Sequence, residues 1–272
     1  MIVIGERINA TRKNIAVAIE QRNEKLIQEE VKIQIQSGIV DYLDINCGLG
    51  RVDINKEIED MKWLIEVVQQ NTNIPLMIDS PNYEVIEVAL KMYKNVSAKP
   101  IINSITLEKQ RYEKILPLVK EYETSVVALT IDENGVPKTV NERVEIAKKI
   151  ISLCKEKYDI EEERIFIDFI VKPVAVEPDQ TIHFLDAVKT IKNLFPKIKT
   201  VCGASNVSFG LPNRRLLNSI FLAMAISYGL DAAIIDPTDK KVVSSIYPAE
   251  ALLGKDEFCL KYIEAYRGGV FE

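Results

Sequence analysis

Apolar residues along this chain fall into two alternating patterns. Short runs of apolar residues occur at Ile2–Gly5, Tyr42–Asn46, Leu76–Asp79, Ile101–Asn103, Ser125–Thr130, Arg164–Asp168, Thr200–Gly203 and Ala232–Ile235. Each is the length of a strand buried on both faces. Between them lie segments with helical spacing. Ile54, Ile58, Met61, Ile65 and Val68 recur at steps of four and three, and so do Val140, Val144, Ala147, Ile151 and Cys154. That periodicity describes helices with one buried stripe. Eight strands alternating with eight helices imply a parallel sheet, and eight repeats close most naturally into a (β/α)8, or TIM, barrel. A doubly wound open sheet is the alternative. Pro117 falls within the segment after the fourth strand, where it should kink the helix or mark its start.

Composition adds bounds. No linker or low-complexity run divides residues 1–272, so one barrel domain is expected over the whole length. The 47% hydrophobic and 28% charged fractions are those of an ordinary globular chain. A net charge of −5 without a basic block argues against nucleic acid and anionic membranes as partners. The first residues read as a strand rather than a signal peptide, and no apolar stretch is long enough to span a bilayer. The four cysteines, Cys47, Cys154, Cys202 and Cys259, form no CxxC pair. Reduced thiols and a cytoplasmic location are expected. No metal site is expected either, because the chain holds a single histidine, His183. It reads as a helix-face residue.

Candidate chemistry follows from the barrel. In this fold the functional site is built from the C-terminal ends of the strands and the loops beyond them. Polar residues close almost every strand here. The first runs into Glu6-Arg7-Ile8-Asn9, the second ends at Asp44-Ile45-Asn46, the third at Asp79-Ser80 and the fourth at Asn103-Ser104. The fifth ends at Thr130-Ile131-Asp132 and the sixth at Asp168, with Lys172 beyond. The seventh runs into Gly203-Ala204-Ser205-Asn206, and the eighth ends at Asp236. One Asp or Asn after a strand is usually a helix cap. A ring of them makes a bowl of carboxylates and amides with few cations, unsuited to a polyanion. Such a bowl suits a flat, neutral, nitrogen-rich ring, because a carboxylate accepts two N–H bonds from an amino-pyrimidinone edge.

The segments Ile4-Gly5-Glu6-Arg7-Ile8-Asn9, Asp44-Ile45-Asn46, Ile78-Asp79-Ser80, Ile102-Asn103-Ser104 and Gly203-Ala204-Ser205-Asn206-Val207-Ser208 together resemble the pterin-binding methyltransferases. That family includes methyltetrahydrofolate:corrinoid protein methyltransferases, the second methyltransferases of O-demethylase systems and the folate module of cobalamin-dependent methionine synthase. The resemblance runs in order from Ile2 through the last helix, and it implies a dihydropteroate-synthase-like barrel.

It also implies an activity: movement of a methyl group between N5 of tetrahydrofolate and the cobalt of a corrinoid. The folate, as tetrahydrofolate or 5-methyltetrahydrofolate, would be a substrate. The corrinoid would ride on a separate protein, because the chain lacks the Asp-x-His-x-x-Gly motif that ligates cobalt. A homodimer is implied as well. Asp79, Asn103 and Asp168 would hold the pterin ring, with Asp168 on the amino-pyrimidinone edge and Asp44 and Asn46 beside them. Glu6 and Asn9 would close the floor. Gly203, Ser205 and Arg214 would line the wall that carries Asn206. Asn206 and Asp79 are the expected catalytic pair: Asn206 hydrogen-bonds the pterin N5, and a proton arrives through water and Asp79. Two other readings stay open, a dihydropteroate-synthase-like enzyme and a Schiff-base aldolase using Lys172.

Overall fold

The computed structural model describes residues 1–48, 53–94 and 96–271. Eight parallel strands pair in sequence order and close into a barrel: β1 (Ile2–Asn9), β2 (Tyr42–Asn46), β3 (Leu76–Asp79), β4 (Ile101–Ile105), β5 (Ser125–Leu129), β6 (Ile165–Asp168), β7 (Lys199–Gly203) and β8 (Ala232–Ile235). Helices cover the outside: α1 (Lys13–Glu20), α2 (Glu24–Gln36), α3 (Ile54–Asn71), α4 (Tyr83–Met92), α5 (Lys109–Glu121), α6 (Val140–Ser152), α7 (Gln180–Leu194), α8 (Arg214–Tyr228), α9 (Lys240–Leu252) and α10 (Leu260–Arg267). The first connection thus holds two helices where the sequence pattern implied one, and α10 follows the last barrel helix. Pro117 lies within α5 rather than at its start.

Two apolar layers result from strand alternation, because successive side chains point to opposite faces. Ile4, Met77, Ile101, Val127, Phe166, Val201 and Ala232 fill the barrel interior, with Tyr42 packed against them. Their neighbours along each strand, such as Val3, Ile78, Ile102, Val126 and Ile167, face the helices. The expected helical stripes face them in turn. Met61, Ile65 and Val68 of α3 and Val144, Ala147 and Ile151 of α6 are buried there. A side chain of this kind contributes roughly 1.5–3 kcal/mol when fully buried. Among the described residues, no helix is long and apolar enough to cross a membrane.

β1 is longer than the apolar run suggests. It continues past Gly5 through a β-bulge, since Gly5 pairs with Leu43 but the next partners are Ile8 and Ile45. The extra residue reverses the alternation. Ile8 therefore joins the strand–helix layer, and Asn9 opposite Asn46 turns to the barrel axis. β4 does the same between Asn103 and Ile105. The bulge in β1 is held from outside. The Arg7 backbone N–H donates to Gln34 Oε1 at 3.2 Å, and Gln34, on α2, is fully buried.

Gly5 permits this approach. A Cβ there would lie 2.3 Å from Gln34 Oε1. Gly5→Ala should cost about 1–3 kcal/mol of stability by overpacking, and much less in a Gln34→Ala background, where the space is free. Denaturant unfolding of the four proteins checks this; equal penalties in both backgrounds would refute the steric account.

Candidate functional site

Strand alternation places a polar layer directly above the apolar barrel floor. Two residues beyond Met77, Ile101 and Phe166 stand Asp79, Asn103 and Asp168. Two beyond Tyr42 stands Asp44, and two beyond Ile4 stands Glu6. Four of them, Glu6, Asp44, Asp79 and Asn103, line a cavity of about 470 Å³ at the C-terminal mouth of the barrel, together with Arg7, Asn9, Thr11, Arg12, Gly203, Ser205, Asn206, Arg214, Ile234 and Asp236. The volume is that of a small-molecule site.

Most of the residues singled out from sequence meet here: Glu6, Asn9, Asp44, Asp79, Asn103, Gly203, Ser205, Asn206 and Arg214 all line the cavity. Asn46 and Asp168 do not. Asn46 donates through Nδ2 to Asp79 Oδ2 at 2.8 Å, so it orients a lining carboxyl. Asp168 is 9% exposed and accepts the Ile170 N–H on Oδ1 at 2.7 Å. Sequence reasoning missed Arg7 and Arg12, so the bowl holds more cation than expected. The irregular stretch after Gly5 carried no period from which Arg7 could be placed at the cavity, and Arg12 lies beyond β1.

The carboxyls of the site are desolvated and crowded. Asp44 is 2% exposed, and its Oδ1 is buried without a hydrogen-bond partner. Burial, reinforced by the charges of Asp79 and Glu6, raises its pKa well above the ordinary range, although a hydrogen bond from Asn9 pulls the other way. Glu6 is pushed up to about 7, first by burial and then by Asp236, while Arg12 and Arg214 oppose the shift. Asp79 is raised by burial against the pull of Asn46 and Arg111. Burial also lifts Asp168 to about 7. At neutral pH this site therefore holds carboxyls that can donate a hydrogen bond as well as accept one.

Arginines fasten the walls. Arg7 Nε donates to Glu30 Oε2 at 2.7 Å and its Nη1 to Asp236 Oδ2 at 2.9 Å, joining β1 to the loop after β8. Arg111 Nη2 donates to the carbonyls of Ser80 and Ser104 at 3.0 and 2.6 Å, joining the loops that follow Asp79 and Asn103. Asn206 lies on a short 3-10 turn, Ala204–Ser208, after β7, and its side chain is exposed at the mouth. Arg214 Nη2 donates to Ser205 O at 2.7 Å and its Nε to Ser208 Oγ at 3.0 Å. Gly203 gives Asn206 room, since a Cβ there would lie 3.3 Å from Asn206 Nδ2.

Two other polar residues are occupied elsewhere. Lys172 pairs with Glu177 at 2.9 Å and does not line the cavity. His183 contacts Lys138 O through Nδ1 at 3.1 Å on the outer helix layer.

Known proteins resemble this chain in sequence and in fold. The family model described as pterin binding enzyme matches residues 5–236. The chain is 34% identical over 272 residues, 99% of its length and 97% of the relative, to a methylcorrinoid:tetrahydrofolate methyltransferase of Eubacterium limosum. It is 32% identical over 248 residues to the methionine synthase of Mycobacterium tuberculosis, covering 86% of this chain and 20% of that protein. Among solved structures, dihydropteroate synthase of Xanthomonas albilineans with 4-aminobenzoic acid superposes with a TM-score of 0.70 at 19% identity, over 92% of each chain. That last likeness is one of fold.

The raised pKa of Glu6 has a measurable consequence. The folded protein holds this proton more tightly than the unfolded chain, whose carboxyl titrates near 4.5. The associated stability is full below pH 4.5 and is lost as pH climbs through about 7. Glu6→Gln, which cannot ionise, should gain on wild type by about 1–2 kcal/mol between pH 4 and pH 8. Thermal unfolding of both proteins at the two pH values measures it; a difference that does not change with pH would contradict the assignment.

Proposed function

Because the chain belongs to the pterin-binding enzyme family, we propose that it moves a methyl group between N5 of tetrahydrofolate and the cobalt of a corrinoid carried by a separate protein. The observation that carries this reading is the polar ring of Glu6, Asp44, Asp79, Asn103 and Asn206 around one cavity at the barrel mouth, in a chain similar over nearly its full length to a methylcorrinoid:tetrahydrofolate methyltransferase. A pterin presents several N–H donors and ring-nitrogen acceptors on a flat apolar body. The apolar floor beneath and the carboxyl–amide ring above match both properties.

In this reading Asp168, Asn103 and Asp79 hold the ring, with Asp44 and Asn46 beside them and Glu6 and Asn9 closing the floor. Asn206 makes the hydrogen bond to N5. Methyl transfer from methyltetrahydrofolate breaks the N5–CH3 bond and leaves the bonding electrons on nitrogen, which must take a proton. The nucleophile is the corrinoid cobalt(I) brought by the partner, and it needs no base. The protein's task is therefore to supply polarity at N5 and to place the methyl group in line. In the opposite direction N5 of tetrahydrofolate attacks the corrinoid methyl group and gives up its proton. Carboxyls raised toward neutrality, Asp79 among them, can exchange that proton with water in either direction.

The mouth is where a corrinoid protein would dock, with Asn206 exposed at the point of approach. Assembly as a homodimer and a cytoplasmic location belong to the same reading. The exposed Leu216, Leu217, Ile220 and Met224 on α8 are consistent with a covered face. The dihydropteroate synthase likeness supports the barrel alone, and the ion-paired Lys172 offers no support to a Schiff-base aldolase.

The activity is tested by following methyltetrahydrofolate and cobalt(I) cobalamin spectrally; no methylcobalamin formation would sink the assignment. Asn206→Ala should lower turnover by about 10²–10³-fold while folate affinity changes less than about threefold. Equal losses in turnover and affinity would make Asn206 a binding residue and nothing more.

A further inference from the structure

The loop after β6 is more elaborate than a connection to a helix requires. Ile170 sits at φ +61°. A left-handed backbone is rare for a β-branched residue. Its effect is local: it brings the Ile170 N–H back onto Asp168 Oδ1 at 2.7 Å.

The turn also sends the carbonyls of Phe169 and Ile170 toward α6. Both accept hydrogen bonds from Arg143 Nη1, the Ile170 bond at 3.1 Å. Arg143 is 0% exposed. Its Nη2 donates to Gln180 Oε1 at the start of α7, and Gln180 Nε2 donates to Lys138 O at 3.2 Å. Among the described residues no carboxylate lies within ion-pair distance of Arg143, and its Nε has no partner. A buried guanidinium bonded only to carbonyls and an amide is an expensive way to staple a loop. A neutral amide at this position would satisfy carbonyls without burying a charge. What the charge adds is an opposing field at Asp168, where it counters the burial that disfavours the anion.

We infer that Arg143, acting through the left-handed turn at Ile170, is a positioning residue that fixes the direction in which the Asp168 carboxyl meets its ligand. This rests on the reading above in which Asp168 holds the amino-pyrimidinone edge of a pterin. Two bonds from one nitrogen to successive carbonyls set the turn, the turn sets the Ile170 N–H, and that N–H occupies one carboxyl oxygen. The other oxygen is left to the ligand. Charge and direction are thus supplied by one side chain that does not line the cavity.

A binding cycle with tetrahydrofolate, read by calorimetric titration, tests this. Asp168→Asn and Arg143→Gln should each weaken binding about 10- to 30-fold, and Arg143→Lys, which restores charge without the fork, should fall between Arg143→Gln and wild type. Asp168→Asn with Arg143→Gln should bind no worse than about twofold below Asp168→Asn alone. Penalties that multiply would overturn the inference while leaving the pterin reading intact. Unchanged binding in Asp168→Asn would overturn the pterin assignment of Asp168, and the inference with it. If Arg143→Gln does not fold, Arg143→Lys carries the same cycle, because it keeps the charge but lacks the fork that holds both the loop carbonyls and Gln180. A loss of about threefold or more that disappears in the Asp168→Asn background supports the positioning role; no loss overturns it.

Discussion

The whole site depends on strand alternation inside a closed ring. With eight strands in parallel register, every second side chain must point at the barrel axis. One inward layer, from Ile4 round to Ala232, is apolar and closes the interior. The next inward layer is where the strands end, so its side chains need not be covered by another layer. Polar groups are tolerated there because most of them border the cavity at the mouth. Glu6, Asp44, Asp79, Asn103 and Asp168 are thus the first inward positions at which the fold does not demand an apolar residue.

That position has an electrostatic consequence. A carboxyl just above an apolar floor loses much of its hydration, and several in a ring also repel one another. The fold offsets this in two ways. Glu6 is faced by Arg12 and Arg214 and kept near neutrality, and Asp79 is braced by the Asn46 amide and the nearby charge of Arg111. Asp44 is not braced to the same degree. It relies on Asn9, and one of its oxygens is left bare. A buried carboxyl oxygen without a partner is unfavourable by itself and less so beside a hydrogen-bonding group, so a ligand that bonds it recovers part of the cost of burying it.

Most of the barrel was legible in the sequence because its signals are local. Strands such as Leu76–Asp79 and Ala232–Ile235 are short apolar runs bounded by polar residues, and α3 and α6 repeat with helical spacing. The apolar run stops at Gly5 while β1 continues, because a bulge has no sequence period, and for that reason the place of Arg7 at the cavity was not legible. Of the proposed residues, those at regular strand ends could be placed by counting in twos from the apolar core. Asn46 and Asp168 required knowledge of partners: whether a side chain lines a cavity or holds one that does depends on contacts across strands. Arg143 had no signal at all, since an arginine within a helical segment reads as a solvated face.

The two ends of the site differ in rigidity, and the difference fits the proposed chemistry. Asp168 is buried, bonded by its own loop and braced by a guanidinium reaching from α6. Asp79 is bonded by Asn46, and the loop that follows it is tied down by Arg111. Asp79 lines the cavity, while Asp168 is buried outside its lining; in the proposed reading a ring ligand is held on this side. Asn206 stands on one short turn at the open side, held by Arg214 and given room by Gly203. A group-transfer site with a protein-borne second substrate needs such an asymmetry. The small ligand must be fixed beneath, and the group that polarises its reacting atom must lie where the incoming partner can reach the same atom. A site uniformly buried would bind the pterin and exclude the corrinoid, whereas one uniformly exposed would leave its carboxyls hydrated and without the raised pKa values that let them share a proton. The barrel supplies both depths in a single ring of strand ends.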